Sequence, residues 1–240
     1  MRVAVFVVVL SLAACGSSVS DLSRNQPNVD VARAALRGGS PQAALGIVSG
    51  VIARDPSNAG ALIVQGDALT AEGRYDEARL SYDAVLRRDR SSVGAELGLA
   101  RLQLSSNPAA AEALFLRILR QDPRNTIALN DLGVARDLQN RHQEAQVAYR
   151  QALGIDPRDS AAQVNLALSL AMTGNAEDGV RLLQPLADNP GASPQLRHDL
   201  AAALAMAGRR DEAARILSAD LSPDEVRQAV DAYVSARAVQ

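Results

Sequence analysis

Apolar residues return along most of this chain at intervals of three and four, the period of a helix with one buried face. The stretches "GRYDEARLSYDAVL" (73–86), "NRHQEAQVAYRQAL" (140–153) and "GRRDEAARIL" (208–217) each show it, and each is followed or preceded by a second segment of the same kind. Short polar breaks close the periodic segments: "RDPSN" at 54–58, "QDPRN" at 121–125, "IDPRD" at 155–159, and a degenerate "RDRSS" at 88–92. Proline lacks the amide a helix interior needs, so these breaks predict helix ends. Gly39, Gly73, Gly174 and Gly208 fall midway between breaks. Glycine adopts positive φ at little cost, so these positions predict the turn between two helices of one hairpin.

The hairpins recur every 34 residues, and a fixed period of this length signals a stacked-repeat architecture. Spacing and small/large pattern resemble the tetratricopeptide repeat over nearly everything after residue 25. The eighth place holds Gly66 and Gly133, with Ala32, Ala100, Ala167 and Ala201 equivalent to them. The twentieth holds Ala44, Ala78, Ala111, Ala145 and Ala213, and the twenty-fourth holds Val48, Tyr82, Phe115, Tyr149, Leu183 and Leu217. Small residues at the first two places let helices approach, and the large ones fill the space between them. Six repeats follow, at about 25–58, 59–91, 92–125, 126–159, 160–192 and 193–221. The third is one residue short near Asn107-Pro108. The fifth carries Gly179 at its twentieth place and Pro185 inside its second helix, where a kink or a stop is expected. The expected fold is an all-α solenoid of about six helical hairpins spanning residues 28–221.

A solenoid needs a cap at its end. Ser222-Pro223-Asp224-Glu225 reads as a capping box with proline at the first helical position. Val226, Ala229, Val230, Tyr233 and Arg237 then recur at helical spacing. Residues 222–240 are therefore expected to form a capping helix, with Leu221 and Val226 stapled across its start.

The N-terminus differs. "MRVAVFVVVLSLAAC" begins with Arg2, continues through an apolar run too short to span a bilayer, and ends in small residues, which together predict an export signal over residues 1–14. Leu12-Ala13-Ala14-Cys15 resembles a bacterial lipobox, which implies that Cys15 carries the lipid; an ordinary cleaved signal with an incidental cysteine is the alternative. Gly16 follows in place of aspartate, which by the same resemblance implies sorting to the outer membrane, facing the periplasm. Residues 15–27 have no helical period and are rich in Ser, so they read as a flexible tether, with a reach of roughly 20 Å.

Composition narrows the function. The chain has 240 residues, 48% of them hydrophobic but only 2% aromatic, and a net charge of −2, with arginine as its only strongly basic residue type. It lacks the basic, aromatic footprint of a nucleic-acid binder, so no nucleic-acid partner is expected. His142 and His198 have no sequence companion that suggests a triad or a metal site, and both are read as surface residues. No catalytic residue, metal or cofactor is expected, and no stretch outside the repeats is long enough for a catalytic domain. The acids of Asp76-Glu77 and Asp211-Glu212 fall at helix starts, where they favour the positive end of the helix.

One set of polar residues remains. Asp131, Asn165 and Asp199 lie 34 residues apart. They occupy the sixth place of helix A, which in this repeat tends to face the concave groove, as do Asn130 and His198 at the fifth, Leu168 at the ninth, Asp137 at the twelfth and Met172 at the thirteenth. Such a face offers donors and acceptors over an apolar floor, which suits an extended or helical peptide. The other reading makes them bridges between neighbouring helices or solvated side chains.

The second half, "LNDLGVARDLQNRHQEAQVAYRQALGIDPRDSAAQVNLALSLAMTGNAEDGVRLLQPLADNPGAS" with the tail "DLSPDEVRQAVDAYV", resembles the TadD family of tetratricopeptide lipoproteins of the Flp (tight-adherence) pilus system. That resemblance implies a lipid-anchored, pilotin-like protein that assists a secretin or another pilus-assembly component. The alternative is a lipoprotein scaffold for cell-envelope or polysaccharide-export machinery.

Overall fold

The computed structural model describes residues 19–238 and, for side chains, residues 28–235. The export signal, Cys15 and Gly16 lie outside the described residues. Thirteen α-helices and no strand occur among those described. They pair as α1 (Val19–Arg37) with α2 (Pro41–Arg54), α3 (Ala59–Ala71) with α4 (Tyr75–Leu86), and α5 (Val93–Leu102) with α6 (Pro108–Gln121). Next come α7 (Thr126–Asp137) with α8 (His142–Ile155), α9 (Ser160–Met172) with α10 (Ala176–Ala187), and α11 (Pro194–Met206) with α12 (Arg210–Leu217). α13 (Pro223–Ala238) ends the series. No described helix is long and apolar enough to cross a membrane.

The sequence breaks act as both stop and start. Asp55, Asp89, Asp122 and Asp156 each turn a carboxylate back onto the amide two residues on, at 3.0, 2.9, 3.2 and 3.0 Å. Asn58, Asn125 and Asp159 at the far ends of these breaks then cap the next helix, accepting from Ala61, Ala128 and Ala162 at 2.9, 3.0 and 3.2 Å. One five-residue phrase thus satisfies loose groups of two helices. Midway, Gly39, Gly73, Gly174 and Gly208 have φ between 74° and 86°. The fourth hairpin turns on Asn140 instead, at φ 58°; asparagine is one of the few other residues that tolerates this region.

The small and large places interlock as the repeat pattern predicts. All five alanines at the twentieth place are fully buried, and the six residues at the twenty-fourth are at most 1% exposed. A Cβ on Gly133 would lie 2.3 Å from the ring of Tyr149. Tyr82 is held from two sides, since Cβ atoms on Gly66 and on Gly98 would come within 2.5 and 2.3 Å of its ring. Gly98 was not anticipated: it occupies in the third repeat the place that Asp131 takes in the fourth.

Two expectations need correction. α1 already runs from Val19, so residues 19–27 of the expected tether are helical. Once 28–37 packs, each residue added at its N-terminal end fixes one more hydrogen bond without a new nucleation step. Pro185 does not break α10, which continues to Ala187; it lies in the last turn, and the irregularity is confined to the six-residue link 188–193. Gly179 is a tighter contact than alanine permits, because a Cβ there would stand 2.5 Å from the carbonyl oxygen of Ala167.

In four of the five steps along the stack a hairpin's first helix packs on the first helix of the next, α1 with α3, α3 with α5, α7 with α9 and α9 with α11, while α5 reaches α7 through Arg101 and Asp131, and no two second helices make comparable contact. The first helices are therefore the tighter, inner row of the superhelix and the second helices its outer row. The core runs along the stack as successive clusters, the last of which includes Leu183, Leu200, Leu204, Leu217, Val226 and Val230. The capping box closes α13, with Glu225 Oε2 accepting from the Ser222 amide at 2.8 Å and its hydroxyl at 2.6 Å.

Candidate functional site

The inner row carries the polar residues singled out in the sequence, and most of them are committed to neighbouring helices. Asp131 on α7 is 5% exposed and accepts from Arg101 Nε of α5 at 2.6 Å. Asn130 donates to its other oxygen at 3.3 Å and accepts from Asn165 of α9 at 2.9 Å. A polar seam therefore runs from α5 through α7 to α9. It extends toward α3, where Asp67 accepts from the Tyr82 hydroxyl at 2.7 Å. Burial pushes the Asp67 carboxyl up, against the Tyr82 hydroxyl and the nearby Arg101 charge, which favour its ionised form. Partial burial works against the Arg101 charge, and Asp131 and Asp67 more than offset it.

Asp137 belongs to a second cluster behind the inner face. It accepts from the Tyr149 hydroxyl at 2.9 Å and from Ser169 Oγ at 2.9 Å, and lies 2.8 Å from His142 Nδ1. His142, read from the sequence as a surface residue in a turn, is only 6% exposed. It opens α8, and its ring folds back onto the last residue of α7 rather than outward. Burial, with Asp137 beside it, pushes the Tyr149 phenol well above its usual range, so it stays a neutral donor. Among the described residues no group of three or more His, Cys, Asp or Glu side chains is arranged to hold a metal ion.

At the far end, His198 and Asp199 on α11 are half-buried. Asp199 accepts from Gln195 at 2.9 Å, and burial pushes its carboxyl up. His198 Nε2 is 3.5 Å from Asp220. Leu168 is half-buried and Met172 packs against the C-terminal cluster. The structure thus brings Asn130, Asp131 and Asn165 into one seam and Met172, His198 and Asp199 to one end, and separates Asp137 from both.

Sequence reasoning missed Arg101 and Asp67, both at the ninth place of helix A. The signal was present: the ninth place of one repeat meets the sixth of the next, 30 residues on, as Arg101 meets Asp131. Uncovered apolar side chains also remain. Ile127, second in α7, and Leu138, which caps its C-terminal end, are 49% and 53% exposed. Leu168 of α9 is half-buried.

A tetratricopeptide repeat family model matches residues 30–93 and 96–160, and a second tetratricopeptide repeat model matches 138–189. Cellulose synthase 1 operon protein C of Komagataeibacter xylinus is 28% identical over 183 residues, 75% of this chain but 14% of that protein. The chain therefore spans about one seventh of that relative's length. Among solved structures, PilW, a widely conserved type IV pilus biogenesis factor, superposes with a TM-score of 0.66 at 19% identity, covering 86% of this chain and 97% of that one. A tetratricopeptide repeat protein of Parabacteroides merdae gives 0.64 at 15% identity, with 87% and 84% covered.

Proposed function

The chain belongs to the tetratricopeptide repeat family, and from that premise we propose that it is a lipid-anchored protein-binding scaffold, pilotin-like, for assembly of a Flp-type pilus or its secretin channel. The observation that carries the binding part is the inner face itself. Its polar seam is already satisfied internally, so it stiffens the row, while Ile127 and Leu138 stand uncovered beside it. Isolated apolar side chains at the surface are ordinary, but two at the opposite ends of α7, flanking a rigid polar seam, offer contacts that a partner's apolar face can cover. The partner of choice is a secretin or another pilus-assembly component.

The anchoring part rests on the sequence "LAAC" ending at Cys15 and on Gly16 after it. Several acyl chains, at about 0.8 kcal/mol per buried methylene, hold a protein on a bilayer firmly where one does not. The pilus reading is supported by the resemblance of residues 126–237 to the TadD family; the likeness to PilW is one of fold. A second reading, a scaffold for polysaccharide-export machinery, is favoured by the relative from a cellulose synthase operon.

Cell fractionation tests the proposal. The native chain should carry acyl mass on Cys15 and sediment with the outer membrane, Cys15→Ser should lose both, and Gly16→Asp should move the protein toward the inner membrane. Proteins recovered with the lipidated form decide between the readings: a secretin or pilus component supports the first, and a polysaccharide synthase or export component supports the second. Equal membrane recovery of Cys15→Ser, with no acyl mass on the native chain, would refute the anchor.

A further inference from the structure

The last helix does not simply continue the stack. α13 packs chiefly on α11, less on α12, and reaches past α11 to α9, whereas the other first helices contact the inner row only through their immediate neighbours. It therefore leans over the inner face of the last two hairpins. Val226 and Val230 are buried there, and Ala229, Tyr233 and Val234 are partly buried, in the same cluster as Val164, Met172 and Met206 of the inner row. Val226, Val230, Tyr233 and Val234 fall at i, i+4, i+7 and i+8, the stripe with which an amphipathic helix seats itself in a groove. The polar tie to α12 is a pair between exposed side chains, Arg210 and Asp231.

Beside α13 and its link to α12 the polar groups are incompletely matched. His198 Nε2 is buried and makes no hydrogen bond, with Asp220 Oδ2 the facing carboxylate at 3.5 Å. Asp220 is itself held by Arg197 at 2.9 Å. Asp199 takes its one hydrogen bond from Gln195 of its own helix, and Tyr233 of α13 feels its charge without bonding to it. A buried polar group left without a partner is costly, and a helix that supplied one would hold this seat better than α13 does.

We propose that the inner face of α9 and α11 is a seat for an amphipathic helix with apolar residues at i, i+4, i+7 and i+8 and an acid at i+5, occupied at rest by the chain's own α13, and that a partner's helix of this pattern enters by displacing it. The inference rests on the scaffold reading above and specifies how one part of that face is opened. The acid at i+5 is the counterpart of Asp231 and meets Arg210. A polar side chain over Asp199 and His198 gives the incoming helix its advantage over α13. Ile127 and Leu138 stay open in both states.

The probe is a synthetic peptide of residues 222–238, added to the full chain. Hydrogen exchange should show α13's own amides exchanging at least tenfold faster in excess peptide, with α1 to α10 unchanged. In fluorescence anisotropy the full chain carrying Val230→Asp, which weakens α13's own hold, should bind the peptide at least tenfold more tightly than the unaltered chain. Circular dichroism of that variant should still report the helical repeats. If excess peptide leaves α13 exchange unchanged, or Val230→Asp binds the peptide no better than the unaltered chain, α13 is a fixed cap and the inference fails. An envelope partner still captured by such a chain would leave the proposed function standing.

Discussion

Arg101 of α5 reaches Asp131 of α7 with its Nε 2.6 Å from a carboxylate oxygen, and the two ends of this pair are unequally wet: the Asp131 side chain is 8% exposed and the Arg101 side chain 42%. The consequence is an asymmetry between two substitutions. Asp131→Ala leaves an arginine that water can solvate, so the loss should be about 1 kcal/mol. Arg101→Ala leaves a buried carboxylate with only Asn130 beside it, and should cost about 2–3 kcal/mol. Urea midpoints at constant m-value test the order, and a reversed order would mean that the carboxylate is solvated after all.

Glycines in this stack differ by what stands opposite them. Gly179→Ala puts a methyl group against the Ala167 carbonyl of a packed helix, which cannot turn aside, and should destabilise by about 1–3 kcal/mol. Gly154 is also within a helix, but a Cβ there meets nothing within 4 Å. Gly154→Ala should stabilise by about 0.5–1 kcal/mol, the ordinary helix preference for alanine. Thermal unfolding of the two variants should move in opposite directions.

Two carboxylates should give stability of opposite pH dependence. Asp199 is raised above 3.8 in the folded chain, chiefly by burial. Its folded form binds the proton more tightly, so its ionisation costs stability as pH rises through the raised value. Asp199→Asn should raise Tm at pH 7, and the difference should vanish below about pH 3.8.

Glu112 is the converse. Burial alone would raise it, but hydrogen bonds from Gln139, Arg136 and Arg141 prevail and hold it below 4.5. Its contribution is complete above the unfolded value and is lost as pH falls through the lowered one. Glu112→Gln should therefore lower Tm at pH 7, by a margin that shrinks as pH falls below 4.5. A pH-independent difference for either variant would place its effect in packing rather than in charge.

What the sequence made legible follows from what repeats. The glycine turns, the buried twentieth and twenty-fourth places and the "DPxN" breaks each answer a requirement met in every hairpin, so one period exposed them all. Asn140 and Gly98 were missed because each solves its local problem once, with a residue that the period does not mark. The ladder of Asp131, Asn165 and Asp199 was visible as a period, but its chemistry was not, because the partners differ at each rung: Arg101 for the first, Asn130 for the second and Gln195 for the third. Of the two readings of that ladder, the bridge between helices describes Asp131 and Asn165. The lean of α13 was invisible to periodicity, since its apolar stripe fits equally well above α12 or across α11.

The central claim is that the inner face of the middle repeats holds a protein partner, and one comparison tests it directly. A chain with Ile127→Arg and Leu138→Arg alters that face at exposed positions. A chain with Leu80→Arg and Val147→Arg alters side chains at least half exposed on the outer helices α4 and α8. Each should melt close to the unaltered protein, because none of the four residues is buried. In capture of a secretin or other pilus-assembly component from envelope extract, the inner pair should reduce recovery at least tenfold and the outer pair should leave it unchanged. Unchanged recovery by the inner pair, with recovery lost by the outer pair, would contradict the account and put the binding surface on the convex side.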